Sequence, residues 1–329
     1  MTNYIIRRIL IFIPMMLLTS MVSFVIMQLP KGDYLQQKLA YLESIGGDSS
    51  SMIQIKQLRA EYGLDKPVYL QYASWIYGII TKGHFGRSFA YEKPVNDVVW
   101  SYMGFTVLIA AVSMIFVYIV SVPAGIFAAV KKYKWQDNLI CAVSFVGMSL
   151  PEFMIALLLL VFGIFVLDYC FIGLFSSQFY FQPWSFAKFV DLLKHLPVPA
   201  IIVAVNGTAG LVRIMRSSML EVLGQQYIQT AYAKGISENA VLYKHALRVA
   251  VNPIISILGM SLPVLLSGST IISIVLNLPT AGFLLFESLK TQDMYLAGTL
   301  LMLMSFMLLV GNLIADIALA IVDPRIRYD

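Results

Sequence analysis

The sequence predicts an all-α membrane protein of six transmembrane helices, with a small external helical segment between helices 1 and 2. Three observations carry this reading: 59% of the 329 residues are hydrophobic and only 12% are charged, and the mean hydropathy is +0.79. Soluble domains carry roughly 25% charged residues and about 45–50% apolar ones. A soluble two-domain enzyme of this length is therefore excluded. The pI near 9.0 implies no nucleic acid, because the apolar residues need lipid around them.

Crossing the hydrocarbon takes about 20 apolar residues. Six segments pass this test: Ile9–Leu29, Phe105–Val130, Leu139–Leu167, Leu196–Val212, Val251–Leu278 and Leu296–Val322. The fourth is the weakest, since Asn206, Gly207 and Thr208 interrupt it; a span facing other helices tolerates that better than one facing lipid. The first follows Arg7 and Arg8 but outlasts the roughly 7–15-residue core of a cleaved leader, so it reads as a retained span.

Orientation follows from the basic residues of the short loops. Arg7, Arg8, Lys131, Lys132, Lys134, Arg213, Arg216, Lys234, Lys244, Arg248, Arg325 and Arg327 fall on one side, against Lys188, Lys194 and Lys290 on the other. Twelve against three puts both termini in the cytoplasm. The layout is a first helix over 1–29, an extracytoplasmic segment over 30–104 and a five-helix core over 105–329.

Within 30–104, Gly46 to Ser51 is a loop cluster. Ile55, Leu58 and Tyr62 then recur at helical spacing until Gly63. Pro67 opens an amphipathic stretch with Tyr72, Trp75, Ile76, Ile79 and Ile80 on one face. Short helices at the membrane interface fit this pattern better than a receptor core, for which the piece is too small. The second external loop, 168–195, is rich in aromatic residues that suit interfacial anchoring. Cys141 and Cys170 lie in or beside apolar runs without a C-x-x-C pair, and His84, His195 and His245 are far apart. Neither disulfide nor metal chemistry is read from them.

The loop 213–248 is polar and basic, with Gly224 and Gly235 as breaks. Between the glycines Tyr227, Thr230, Ala231 and Lys234 keep helical spacing, and Ser237 offers an N-cap to a second helix. The small residues Ala231, Ala233 and Gly235 permit close approach. Docking into a groove on another protein and tethering to anionic lipid both suit such a helix–Gly–helix.

Thr230-Ala231-Tyr232-Ala233-Lys234-Gly235, followed by His245-Ala246-Leu247-Arg248, resembles the EAA loop of bacterial ABC importer permeases. Met215 to Leu223, Tyr62-Gly63-Leu64-Asp65-Lys66-Pro67, Gly86-Arg87-Ser88-Phe89 and Asp323-Pro324-Arg325-Ile326-Arg327 are similar to its dipeptide/oligopeptide branch. Thr230 stands where the broader family has glutamate, and Arg248 where it has proline. The resemblance implies a type I ABC importer permease fold in a bacterial inner membrane. It makes 226–236 the coupling helix, with Tyr227, Thr230, Ala231, Tyr232, Ala233, Lys234, Gly235 and Ser237 meeting an ATPase subunit. It also implies as partners a second, homologous permease, two ATP-binding cassette subunits and an extracytoplasmic solute-binding protein. The cargo it implies is peptide; the similarity of Leu29 to Leu35 to sugar-importing members keeps oligosaccharide uptake as the alternative.

No G-x-x-x-x-G-K-S/T occurs, so no phosphate-cradling loop is present and the chain is expected to be no ATPase. ATP and Mg belong on partner subunits, with no cofactor bound by this chain. A proton-coupled carrier remains the more remote reading, resting on the intramembrane acids Glu152 and Asp316. The fifth span is polar and interrupted, as is the third at Gly147 to Pro151, and such helices are tolerated where they line a cavity. Ser149, Glu152, Ser261, Ser267, Ser269 and Thr270 are the candidate pathway residues.

Overall fold

Long apolar runs fold as helices because a helix satisfies its backbone groups within one segment. The computed structural model describes residues 2–29, 32, 34–46, 49–61, 63–257 and 270–322. The chain begins with α1 (Thr2–Gln28), α2 (Tyr34–Ser44), α3 (Ser49–Glu61) and α4 (Val68–Lys82), then pairs β1 (Arg87–Ser88) antiparallel with β2 (Lys93–Pro94). Next come α5 (Val95–Val130), α6 (Trp135–Ser149), α7 (Glu152–Phe162), α8 (Phe186–His195) and α9 (Pro197–Leu223). The remainder holds α10 (Gln226–Ala233), α11 (Glu238–Ala240), α12 (Leu247–Ala250), α13 (Thr270–Val275), α14 (Ala281–Lys290) and α15 (Met294–Val322).

Among the described residues four runs are long and apolar enough to cross a membrane: Ile9–Gln28, Val95–Val130, Phe186–Leu223 and Met294–Ile314. The expected third span, Leu139–Leu167, departs from one straight helix. It is two helices, bent by 98° at Leu150 and Pro151. Proline lacks the N–H that would continue the ladder and pushes the preceding residue out of helical conformation. Leu150 has φ −93 and ψ 126, which is extended backbone. The expected interruption at Asn206–Thr208 is absent, and α9 runs through it. Gly207 instead gives close approach to α5, where an added Cβ would meet Val117 at 3.3 Å. The expected fifth span, Val251–Leu278, includes 258–269, which lie outside the described residues.

Two compact units emerge. One joins Arg7–Thr106 to Pro279–Met307, so the segment 30–104 is held against α1, α14 and the start of α15. Gln71 is the clearest tie. It donates to the carbonyls of Leu64 (3.0 Å) and Lys66 (2.8 Å) and accepts from Gln28 of α1 at 3.0 Å. Phe24 and Trp75 are buried together, and the Trp75 indole N–H donates to the Phe85 carbonyl at 3.0 Å.

The Gly86-Arg87-Ser88-Phe89 stretch has a physical role in this unit. Ser88 donates its hydroxyl to Asp293 Oδ2 at 2.6 Å and the Ala90 N–H donates to the same oxygen at 3.0 Å. Asp293 caps α15 through the Leu296 N–H at 3.3 Å and is fully buried. Gly86 has φ +105, and a Cβ there would lie 2.8 Å from the Tyr295 ring. Phe89 fills a core with Leu35, Ile55 and Leu64.

The other unit is built on Val107–Leu278. Its axis is α9, which buries Met215 and Met219 completely. Gly125 of α5 lets the two backbones meet, since a Cβ there would come within 2.6 Å of Met215 and 2.9 Å of the Val212 carbonyl.

Candidate functional site: the loop after α9

The loop 213–248 takes its shape from its two glycines. α9 ends at Gly224, whose N–H donates to the carbonyls of Leu220 and Glu221, each at 3.3 Å. One residue later α10 starts. It ends in a Schellman motif: the Ile236 N–H reaches back to Ala231 (3.3 Å), the Gly235 N–H reaches Tyr232 (2.9 Å), and Gly235 has φ +73. Glycine is the residue that adopts this left-handed conformation without strain. Ser237 then precedes α11 as expected, but its side chain makes no capping bond.

The helix has two faces. Ile228 and Ala231 are buried with Met219, Val222, Val241, Ala246 and Ala250. That core fixes α10 against the end of α9 and the turn Val241–Ala246. Ser218 adds a hydrogen bond to the Ala250 carbonyl at 2.8 Å. The opposite face leaves Tyr227, Thr230, Tyr232, Ala233 and Lys234 exposed, with Gly235 and Ser237 beyond it. Tyr227 is 47% and Tyr232 45% exposed. A short helix that offers two phenol rings and small neighbours from a rigid base suits insertion into a cleft of another protein. Of the eight residues read from the sequence, seven are exposed; Ala231 is the exception and belongs to the base.

Beside this loop a cavity of about 760 Å³ opens between Phe127 of α5, Lys131 just after it, and Leu242 and Tyr243.

A feature the sequence reading passed over secures the loop's stem. Arg216 of α9 holds Asp137 of α6 with two hydrogen bonds, Nε to Oδ1 at 2.6 Å and Nη2 to Oδ2 at 2.7 Å. The Tyr133 N–H donates to Oδ2 at 2.9 Å. Asp137 sits in the first turn of α6, where the helix dipole favours an acid. Two-bond arginine–carboxylate pairs fix orientation as well as distance. A lone acid between Lys134 and Glu152 is the available signal; Arg216 enters the sequence reading only through topology and the Met215–Leu223 resemblance.

The pathway candidates separate. Ser261, Ser267 and Ser269 lie outside the described residues. Ser149 is exposed and donates to the Phe145 carbonyl of its own helix at 2.7 Å. Thr270 opens α13. Glu152 opens α7 at the bend and accepts from the Asn206 amide at 3.0 Å.

Residues 121–328 match the family described as binding-protein-dependent transport system inner membrane component. Residues 1–110 match the N-terminal model of the same transport systems. This chain belongs to that family of transport permeases. It is 36% identical over 329 residues, the full length of both chains, to an oligopeptide transport system permease protein of Bacillus subtilis. It is 31% identical over 328 residues, again the whole of both chains, to a glutathione transport system permease protein of Escherichia coli. The permease is thus a multi-pass membrane subunit of a multi-component transport system.

Proposed function

We propose that this permease is one of two homologous membrane subunits of an ATP-driven importer for short peptides. Both termini lie in the cytoplasm, the membrane is the bacterial inner membrane, and 30–104 faces outward. A solute-binding protein delivers cargo to that outer side. Two ATP-binding subunits hold ATP and Mg and receive α10. The observation that carries this reading is α10 itself, capped by Gly235, rooted by Ile228 and Ala231, and presenting Tyr227, Thr230, Tyr232 and Lys234.

Closure of the ATP-bound subunits moves α10 as a rigid piece. Its buried base passes the displacement to α9, and the Arg216–Asp137 clamp passes it to α6. Such shifts between discrete packings are how closely packed helices relay motion. Alternating exposure of a passage lined in part by Ser149, Glu152 and Thr270 follows.

The test is ATPase activity of the complete complex in proteoliposomes. Stimulation by binding protein loaded with short peptides is expected. Stimulation by oligosaccharides alone would transfer the assignment to sugar uptake. Uptake that continues without ATP and collapses with the proton gradient would sink the importer reading.

A further inference from the structure

The cavity beside the loop after α9 has walls of two kinds. One is the end of α5, which lines it with Pro123, Ala124, Phe127 and Val130. Phe127 and Val130 are exposed apolar side chains at the close of an apolar run long enough to span a membrane. The other wall is the basic loop, which contributes Asn239, Leu242 and Tyr243. Both walls depart from a regular helical ladder here. Pro123 lies inside α5 and has no N–H to give to it. Val241–Ala246 is a π-helical turn, a feature that frequently marks functional sites.

The cavity is seated in fixed structure. Ile126, which also lines it, is buried in one core with Ile228, Ala231 and Val241. Pockets that receive small ligands are largely pre-formed in this way, at about 300–1,000 Å³.

Lys131 supplies the charge. No acid is among the residues that line the cavity, and Lys131 is the basic one. Among the described residues no carboxylate lies within ion-pair distance of it, nor of Lys132 and Lys134 nearby. The nearby Asp137 is committed to Arg216. The cavity thus joins an apolar wall from a span to an uncompensated cation and the amide and phenol of Asn239 and Tyr243.

This combination selects among occupants. A water-soluble protein gains nothing from apolar side chains at the end of a span. An apolar helix covers those side chains but leaves Lys131 without a counter-charge. A phospholipid with an anionic head group satisfies both walls, because basic residues at the cytoplasmic end of a span attract anionic lipid.

We propose that this cavity holds one anionic phospholipid of the cytoplasmic leaflet, its phosphate on Lys131 and an acyl chain along Ala124, Phe127 and Val130. The inference goes beyond the transport reading and shares with it only the orientation of the chain.

The experiment uses the full-length permease, purified in detergent with the subunits that accompany it and stripped of lipid. Native mass spectrometry then follows retention of added dioleoyl phosphatidylglycerol or dioleoyl phosphatidylcholine. Wild type is expected to hold the phosphatidylglycerol about five-fold more tightly, the scale of one lysine at an anionic surface. Lys131→Gln should bring the two lipids to parity. Lys134→Gln, outside the cavity, should keep the preference. Ala124→Phe fills the apolar wall and should weaken retention of phosphatidylglycerol while Lys131 remains. Equal retention of both lipids by wild type, or no retention of either, would overturn the proposal. So would the same loss of preference in both lysine variants, or undiminished retention in Ala124→Phe. Release of bound lipid when ATP-binding subunits are added would make the cavity a protein interface instead. Retention is read without transport, so a failed peptide-uptake assay defeats the importer reading alone.

Discussion

Arg216 and Asp137 meet through two short hydrogen bonds, 2.6 and 2.7 Å, across 79 residues of sequence. The carboxylate is 1% exposed. Removing one partner from such a pair strands a buried charge, which costs more than the pair contributes. Arg216→Met is expected to lower the stability of the purified complex by about 3 kcal/mol. Adding Asp137→Leu should recover much of that loss, because no charge is then left unpaired. Thermal unfolding of the two single variants and the double variant measures this. Additive losses would mean the pair is not a unit.

Gly235 and Gly86, two of the glycines with positive φ, are expected to differ in tolerance. At Gly235 an added Cβ meets nothing within 4 Å, so Gly235→Ala costs only the conformational penalty of about 1–2 kcal/mol. At Gly86 the Cβ would press into the Tyr295 ring at 2.8 Å, and strain adds to overpacking for about 3 kcal/mol. Gly235→Pro is a third case, since it removes the N–H bonded to Tyr232 at 2.9 Å. Protease resistance of each variant ranks them, and Gly86→Ala should fall below Gly235→Ala.

The outward face of α10 should fail differently from its base. Tyr227→Ala with Tyr232→Ala removes exposed rings, so the permease should still insert and fold while capture of the ATP-binding subunits drops at least ten-fold, the scale of one lost buried ring. Ala231→Glu puts a charge into the core around Ile228 and should unseat the helix. Co-purification paired with a folding assay separates the two, and normal capture by the tyrosine variant would remove α10 from the interface.

Burial pushes the Asp293 carboxyl above its ordinary value, while hydrogen bonds from Ser88, Ala90 and Leu296 pull it back. Desolvation wins. The folded protein therefore holds this proton at a pH where the unfolded chain has released it, so this site's contribution to stability falls as pH rises through the window above 3.8. Asp293→Asn removes the titration. The difference in unfolding midpoint, wild type minus variant, should grow in favour of wild type between about pH 7 and about pH 4. A flat difference would refute the assignment.

Local chemistry was readable in advance and distant pairing was not. Gly63, Pro67 and Gly235 each punctuate a helix by backbone constraint, so α3, α4 and α10 stop or start where those residues predict; Gly224 marks the end of α9 with an ordinary right-handed φ of −78. The polar trio Asn206–Thr208 looked like a break because sequence does not reveal that Val117 of α5 packs at Gly207. Pro151 was noticed, but the size of its bend depends on what α6 and α7 pack against. Ser88 with Asp293 lies 205 residues apart, a separation at which periodicity carries no information. In the candidate site the exposed residues of α10 were legible; the clamp beneath them was not.

The continuous run Phe186–Leu223 has 38 residues, roughly 57 Å if fully helical. One end carries the aromatic loop where Lys188 rests 4.9 Å from the Phe175 ring centroid; the other passes through Gly224 into α10. A single strut reaching from this loop to α10 obeys reciprocity: whatever free energy a change at one end imposes on the other is imposed back in equal measure. A substitution in the aromatic loop and one in α10 are then coupled to the same extent, whichever end is changed first.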